Sequence, residues 1–187
     1  MAPISFGVPR APSLELERRL SDREFWHIVE TFSEPSGYFN SDNLVSNEDT
    51  FQRVIPQLVE AVSPGGVYVG VGPDQNFTYI TAVQPSIAFI PDIRRGNLLV
   101  HLMYKALIEL AADRADFLSK LFARPRPNGL SSASTIEELF SAYAEVRADD
   151  GLYEATLRQV LAHLTKRRGF VLAEGDEKTP PAAPKTE

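Results

Sequence analysis

The sequence predicts an α/β fold: a partial Rossmann-like βαβ unit with two parallel strands, in a chain that is otherwise mostly helical. Two observations lead there. Two short apolar, β-rich runs, VYVGVG at 67–72 and SIAFIPD at 86–92, flank a stretch of helical character. A strand–helix–strand order of this kind implies parallel pairing and a right-handed crossover. Around that unit, apolar residues recur at helical spacing in most of the remaining chain.

Composition sets the outer limits. The chain has 187 residues, 43% hydrophobic and 24% charged, as in an ordinary soluble globular protein, and it carries a net charge of −6. An acidic balance argues against a broad nucleic-acid surface. There is no cysteine, which excludes a disulfide scaffold, a thiolate zinc site, an iron–sulfur cluster and a Cys nucleophile. No apolar run approaches the roughly 18 residues of a membrane helix, so no membrane association is expected. Met1 to Ser13 shows no apolar core behind a basic start, and the expected location is the cytoplasm.

The elements follow in order. Residues 1–20 are Pro-rich and then charged, and read as a flexible N-terminal arm. Ser21 with Glu24 is a capping box opening a helix over 22–33, with Phe25, Ile28, Val29 and Phe32 on one face. Residues 33–47 form a loop rich in turn formers. A second helix is predicted over 48–62, its apolar face Phe51, Val54, Ile55, Leu58, Val59 and Val62, with a kink at Pro56. SPGG at 63–66 stops it, and 67–72 follows as a buried strand. A turn and short helix over 73–83 lead to the second buried strand at 86–92.

One long helix is predicted over 97–122, with Asn97 as its cap, followed by a Pro-stiffened loop at 123–134. Ser134 with Glu137 reads as a capping box for a helix over 135–147. Asp149 to Gly151 break it, and a last helix covers 152–167, with GFVLA at 169–173 a short extended piece. The organised domain is thus 21–172. The stretch 173–187, with three prolines and no large apolar residue, is a Pro-rich tail expected to be disordered.

The most informative stretch is VYVGVGPDQN. The turn after the first strand of a parallel unit sits at the carboxyl edge of the sheet, where ligands bind. Gly70 and Gly72 allow close backbone approach, and a helix beginning near Asp74–Asn76 presents free N–H groups. Asp92 ends the second strand, 22 residues after Gly70, where an acidic side chain takes ribose hydroxyls in nucleotide-binding units. Gln75 stands where a dinucleotide fingerprint has its third glycine, which disfavours a bound pyrophosphate and suits a ligand without phosphate.

These motifs carry a resemblance. VYVGVGPDQNFTYI with FIPDIRRGN resembles the front half of class I S-adenosylmethionine-dependent methyltransferases. FSEPSGYFNSDNLVSNE, PDIRRGNLLVHLMYKALIEL and LFARPRP extend the similarity, over about 20–170, to an uncharacterised bacterial methyltransferase-like family. The resemblance implies S-adenosylmethionine as cofactor. It implies Gly70 and Gly72, with Pro73, Asp74 and Asn76, in the turn under the cofactor, and Asp92 on its ribose. It also implies that Asp42, Asn43, Asn47 and Glu48 line the pocket from the loop before the first strand. Methyl transfer is mainly positioning, so no catalytic base need be visible, and the methyl acceptor is unspecified.

The sequence departs from that family in two ways. Val67, Tyr68 and Val69 supply no acidic residue early in the first strand's motif. A doubly wound sheet of this class has about seven strands, whereas two are legible here. The chain resembles an N-terminal half, either truncated or ending in unrelated sequence after about Leu172.

Two rival readings remain open. One is a non-enzymatic remnant or interaction module that self-associates through unpaired strand edges. The other is a nucleotide-cofactor oxidoreductase, disfavoured by the absent third glycine. Arg94 and Arg95 beside Asp92 read as salt-bridge formers, and Arg124 and Arg126 as part of a polar linker. His27, His101 and His163 have no metal-binding spacing, so no metal is expected. His101 alone, one turn into the helix after Asp92, is expected near the pocket. Tyr38 and Phe39 are either stacking residues or loop anchors.

Overall fold

The computed structural model describes residues 19–35, 44–46 and 48–176. Asp42, Asn43, Asn47, Tyr38 and Phe39, and most of both terminal segments, lie outside the described residues. The chain is mostly helical with a two-stranded parallel sheet, a mixed α/β arrangement. Among the described residues, no helix is long and apolar enough to cross a membrane.

Helix α1 (Asp22–Phe32) starts at the predicted capping box: Ser21 Oγ accepts from the Glu24 N–H at 3.2 Å, and Glu24 Oε2 accepts from the Ser21 N–H at 2.9 Å. Phe25 and Val29 of the predicted apolar face pack against the core, but the buried residue is Trp26 beside them, and Phe32 is 73% exposed.

The helix predicted over 48–62 is shorter and in two parts. A 3-10 turn covers Phe51–Val54, and helix α2 covers Ile55–Ala61. Pro56 sits in its first turn, where a missing N–H costs nothing, so it starts a helix and does not kink one.

Strands β1 (Val67–Val69) and β2 (Ile87–Phe89) pair in parallel, with Val67 opposite Ile87, Tyr68 opposite Ala88 and Val69 opposite Phe89. Helix α3 (Gln75–Val83) connects them. It ends at Gln84, whose left-handed backbone (φ 48°) lets its N–H donate to Ile80 O. The strands are shorter than predicted, and neither is a buried strand: Ile87 and Phe89 of β2 are half-buried and Ala88 is exposed, while β1 is more open still. Val67 and Val69 are 62% and 66% exposed, since the sheet stops at two strands and nothing described covers that face.

The helix predicted over 97–122 is two helices. Helix α4 covers Arg95–Leu110 and helix α5 covers Arg114–Phe122. The break lies at Asp113, an extended N-cap whose carboxylate accepts from the Asp116 N–H at 2.9 Å. An Asp competes for backbone N–H groups in this way, and the local cap outweighs the continuous apolar period. Asn97 is not the cap of α4. Arg94 is, and Asn97 lies inside the first turn, fully buried.

Helix α6 (Ile136–Ala144) does have a capping box, one residue later than predicted: Thr135 with Glu138. Ser134 instead accepts from the Ser131 N–H within the preceding turn. Helix α7 (Asp150–Ala162) is capped by Asp149 and takes Gly151 into its first turn, so the predicted break is a start. It runs on into one π-helical turn, His163–Arg167.

The core joins α1, α4, α7 and the segment after the π-turn. Trp26, Leu102, Ala106, Leu107, Val160, Leu164 and Phe170 pack together, and Trp26 stacks on Phe170 at 4.8 Å and 11°. Each large side chain so placed contributes about 1.5–3 kcal/mol by leaving water. Phe170 is therefore a core residue and its segment forms no strand.

A polar network closes the same assembly. Glu109 Oε2 on α4 accepts from His163 Nε2 at 2.6 Å and Arg168 Nη2 at 2.8 Å, and Arg168 also binds Asp22 of α1 at 3.0 Å. On the far side, Tyr143 Oη donates to Ala115 O at 2.7 Å, docking α6 on α5.

Candidate functional site

The carboxyl ends of β1 and β2 place Gly70, Gly72, Pro73, Asp74, Asn76 and Asp92 along one edge, with Gly72 beside Asp92 and Asn76 buried against Gly70. Glu48 is exposed, and its N–H donates to Ser46 Oγ at 3.4 Å.

The turn is built from its own residues. The Gly70 N–H donates to Phe89 O at 3.0 Å and the Gly72 N–H to Pro91 O at 3.2 Å, which prolongs the ladder beyond the strands. Asn76 is 2% exposed, and all its side-chain polar atoms are engaged. Its Nδ2 donates to Val71 O and Pro73 O, and its Oδ1 accepts from Tyr68 Oη at 2.6 Å. Burial raises the Tyr68 hydroxyl's pKa above its ordinary value, so it stays a donor. Gly70 is required because a Cβ there would overlap Asn76 Oδ1. Gly72 is required for a different reason: its φ of +79° is left-handed backbone.

Asp92 stands against Gly72. A Cβ built on Gly72 would lie 3.3 Å from Asp92 Oδ2, so only glycine leaves this approach open. Asp92 Oδ1 accepts from the Arg94 N–H at 2.7 Å and from Arg94 Nε at 3.0 Å. Its Oδ2 accepts from Arg94 Nη2 at 3.1 Å and Asn97 Nδ2 at 2.5 Å. Burial pushes this carboxyl up, but the donors from Arg94 and Asn97 outweigh it, and the net pKa is below the usual range. The Arg94–Asp92 salt bridge is as expected, and Arg95 forms another, with Asp176 at 2.6 Å.

The first turns of α4 supply two residues the motif reading did not assign to the site. Asn97 is fully buried, its Oδ1 without a described partner. His101 Nε2 lies 3.1 Å from Gly72 O, its ring meets Phe77 edge-on at 5.3 Å, and its Nδ1 is buried without a described partner. The position of Asn97 five residues after Asp92 was the available signal, but it reads equally well as a helix cap.

The segment before the 3-10 turn crosses this edge. The Ser46 N–H donates to Asp74 Oδ1 and Ser46 Oγ to Gln75 Oε1, both at 2.7 Å. Leu44 packs against Gly96, where a Cβ would lie 2.9 Å from Leu44 Cδ1. The loop thus touches the first turns of both α3 and α4, through Leu44 and Ser46. Among the described residues no group of His, Asp and Glu is placed to hold a metal ion.

A glycine turn at the carboxyl edge of a parallel pair, backed by an acidic residue and a buried polar helix turn, defines a domain with a candidate ligand site. Residues 43–177 match the family model described as domain of unknown function DUF7790, and the chain belongs to that family. No curated protein matches the chain.

Proposed function

We propose that the domain binds an adenosyl cofactor of the S-adenosylmethionine type at the Gly72–Asp92 edge, as a methyltransferase-like protein whose methyl acceptor is unspecified. One observation carries this reading: Asp92 Oδ2 lies beside the Cα of Gly72, in a gap that a Cβ would fill. Glycine thus lets the turn backbone close on the carboxylate at the sheet edge, and a carboxylate can accept from two ribose hydroxyls together. The turn offers no N–H cradle for phosphate at its glycines, since both N–H groups donate to β2-side carbonyls. A cofactor without phosphate suits such a turn, and an oxidoreductase cofactor with a pyrophosphate does not.

Gly72 and Asp92 would hold the ribose, with Ser46, Asp74 and the neighbouring loop at the rim. When bound, the cofactor supplies a methyl group activated by its sulfonium. The Arg94 guanidinium now spans both Asp92 oxygens, so ribose binding requires it to give way. Calorimetric titration with S-adenosylhomocysteine tests the reading. Saturable heat that Asp92→Ala weakens sharply is the expected result; no heat and no thermal shift at millimolar ligand would sink it.

A second reading, a non-enzymatic interaction module, is favoured by a separate observation. Val67, Val69 and Val71 are 62%, 66% and 72% exposed beside strands whose outer edges have no described partner. Concentration-dependent elution in size exclusion, abolished by Val69→Lys, is its expected signature.

A further inference from the structure

We propose that the N-terminal arm docks on the sheet, residues 4–8 (ISFGV) adding to the outer edge of β1 as a third strand. These residues lie outside the described ones, and their sequence pattern singles them out. Ile4, Phe6 and Val8 alternate with Ser5 and Gly7, the period of a strand covered on one face, and Pro3 and Pro9 bound the run.

The geometry of β1 supplies the place. The Gly70 N–H donates to Phe89 O, and Gly66 O accepts from the Ser86 N–H. Successive strand residues turn their backbone groups to opposite sides, so Gly66, Tyr68 and Gly70 address β2 while Val67 and Val69 address the outer side. The sheet ends there, and no described strand receives the N–H and C=O groups of those two valines. Their side chains are 62% and 66% exposed, and a Cβ on Gly66 would meet nothing within 4 Å, so the approach is clear.

The two edges of the sheet differ in how they are guarded. Free edges are usually blunted by charge or proline. The edge of β2 is flanked by Pro85, two residues before the strand, and Pro91, two after it. Residues 65–72, around β1, contain neither a charge nor a proline. An arm strand there would set Ile4, Phe6 and Val8 on the face of Val67 and Val69.

The arm is long enough. Asp22, at the start of α1, binds Arg168, which binds Glu109 in the last turn of α4. The first turn of α4 touches the sheet edge through Asn97 and Asp92. The helix rises roughly 18 Å between Asn97 and Glu109. Val8 to Arg19 is 11 residues, which extend to about 36 Å.

A second copy of the chain is the rival occupant, the one the interaction-module reading invokes. An edge of three residues offers it far less than the roughly 1,000 Å² that a stable interface buries. A tethered strand needs no such area, because its local concentration is of the order of millimolar. Nothing here depends on a ligand at the Gly72–Asp92 edge, so the arm stands or falls apart from the cofactor reading.

The test is amide hydrogen exchange on the full chain. The Val67 and Val69 N–H groups should be protected, though less than those of α4. Phe6→Asp should speed their exchange about tenfold, the equivalent of one hydrogen bond, with α4 unchanged. Ala11→Asp adds the same charge outside the run and should change neither. The chain has no cysteine, so Ser5→Cys takes a single spin label. It should broaden the Val67–Val69 amide signals when label and 15N are on one chain, and not when a labelled chain is mixed with an unlabelled 15N chain.

Val67 and Val69 amides that exchange as fast as free peptide, or protection that Phe6→Asp leaves intact, would overturn the proposal. So would broadening in the mixed sample, or self-association of the full chain that Val69→Lys abolishes, since either gives the edge to a second copy. Should Phe6→Asp disturb α4 as well, the spin label on the otherwise native chain decides alone.

Discussion

Gly70 lies so close to Asn76 that the alanine Cβ would overlap Asn76 Oδ1 and stand 2.6 Å from Tyr68 Oη. The space that glycine leaves is filled by the chain's own amide, which pins the turn through three hydrogen bonds. Gly70→Ala should therefore destabilise the domain by about 1–3 kcal/mol through overpacking. Gly66→Ala, where nothing lies within 4 Å, should stay within about 0.5 kcal/mol of wild type. Urea unfolding of both variants checks the contrast, and equal midpoints would refute the packing account.

Asp92 and Asn97 should behave as one unit. Asp92→Ala leaves the buried Asn97 amide with no described partner and should cost about 1–3 kcal/mol. Asn97→Ala should cost a comparable amount, and the double variant clearly less than the sum, because the two share one bond. Additive costs in a double-mutant cycle would show that the bond carries no stability.

Glu109 should give the fold a marked acid sensitivity. Burial alone would raise its pKa, but hydrogen bonds from Lys105, His163 and Arg168 bring it down to about 2, from 4.5. A carboxyl with a depressed folded pKa binds its proton more readily in the unfolded chain. Its contribution is complete above the unfolded value of 4.5 and is lost as pH falls from there toward 2. Glu109→Gln should lower stability at pH 7 by about 1–2 kcal/mol. The gap to wild type should close progressively between the two values. A gap unchanged at pH 2.5 would refute the linkage.

Thr135, not Ser134, should carry the cap of α6. Thr135→Ala should cost about 1 kcal/mol, and Glu138→Gln little, since a Gln keeps the reciprocal bond to the cap N–H. Glu137→Gln is the control. Thermal melts that rank Glu137→Gln as the most damaging of the three would restore the earlier register.

The helical elements and the β–α–β order were legible in the sequence because period and turn chemistry are local. What was not legible came from competition between neighbours or from tertiary burial. Ser134–Glu137 and Thr135–Glu138 both satisfy the capping-box spacing, and only the fold chooses between them. The apolar run from Leu98 to Leu121 reads as one helix because its period survives the break, and only Asp113, capturing the Asp116 N–H, ends it. Val67 and Val69 read as buried because their composition is that of an inner strand, yet burial depends on neighbours no local pattern can count.

At the candidate site, the motif spacing singles out Gly72 and Asp92, and the parallel pairing sets the two side by side. Asn76 was expected to face a ligand and instead braces the turn. His101 contacts Gly72 across 29 positions, a proximity that no motif encodes but that a helix rising under the turn produces.

The exposed flank of β1 bears on how the molecule opens. The large buried aliphatic and aromatic side chains belong to α1, α4, α6, α7 and the Phe170 segment, while β1, α2 and α3 contribute only Asn76 among the buried residues of the elements preceding α4. Local opening energies track such differences. Amide hydrogens of Val67–Val69 and α3 should exchange through small, frequent excursions, while those of α4 and α7 wait for the whole domain to unfold. The glycine turn thus sits at the seam between a compliant half and a firm one. Whatever settles there would be felt first as slowed exchange on the strand side.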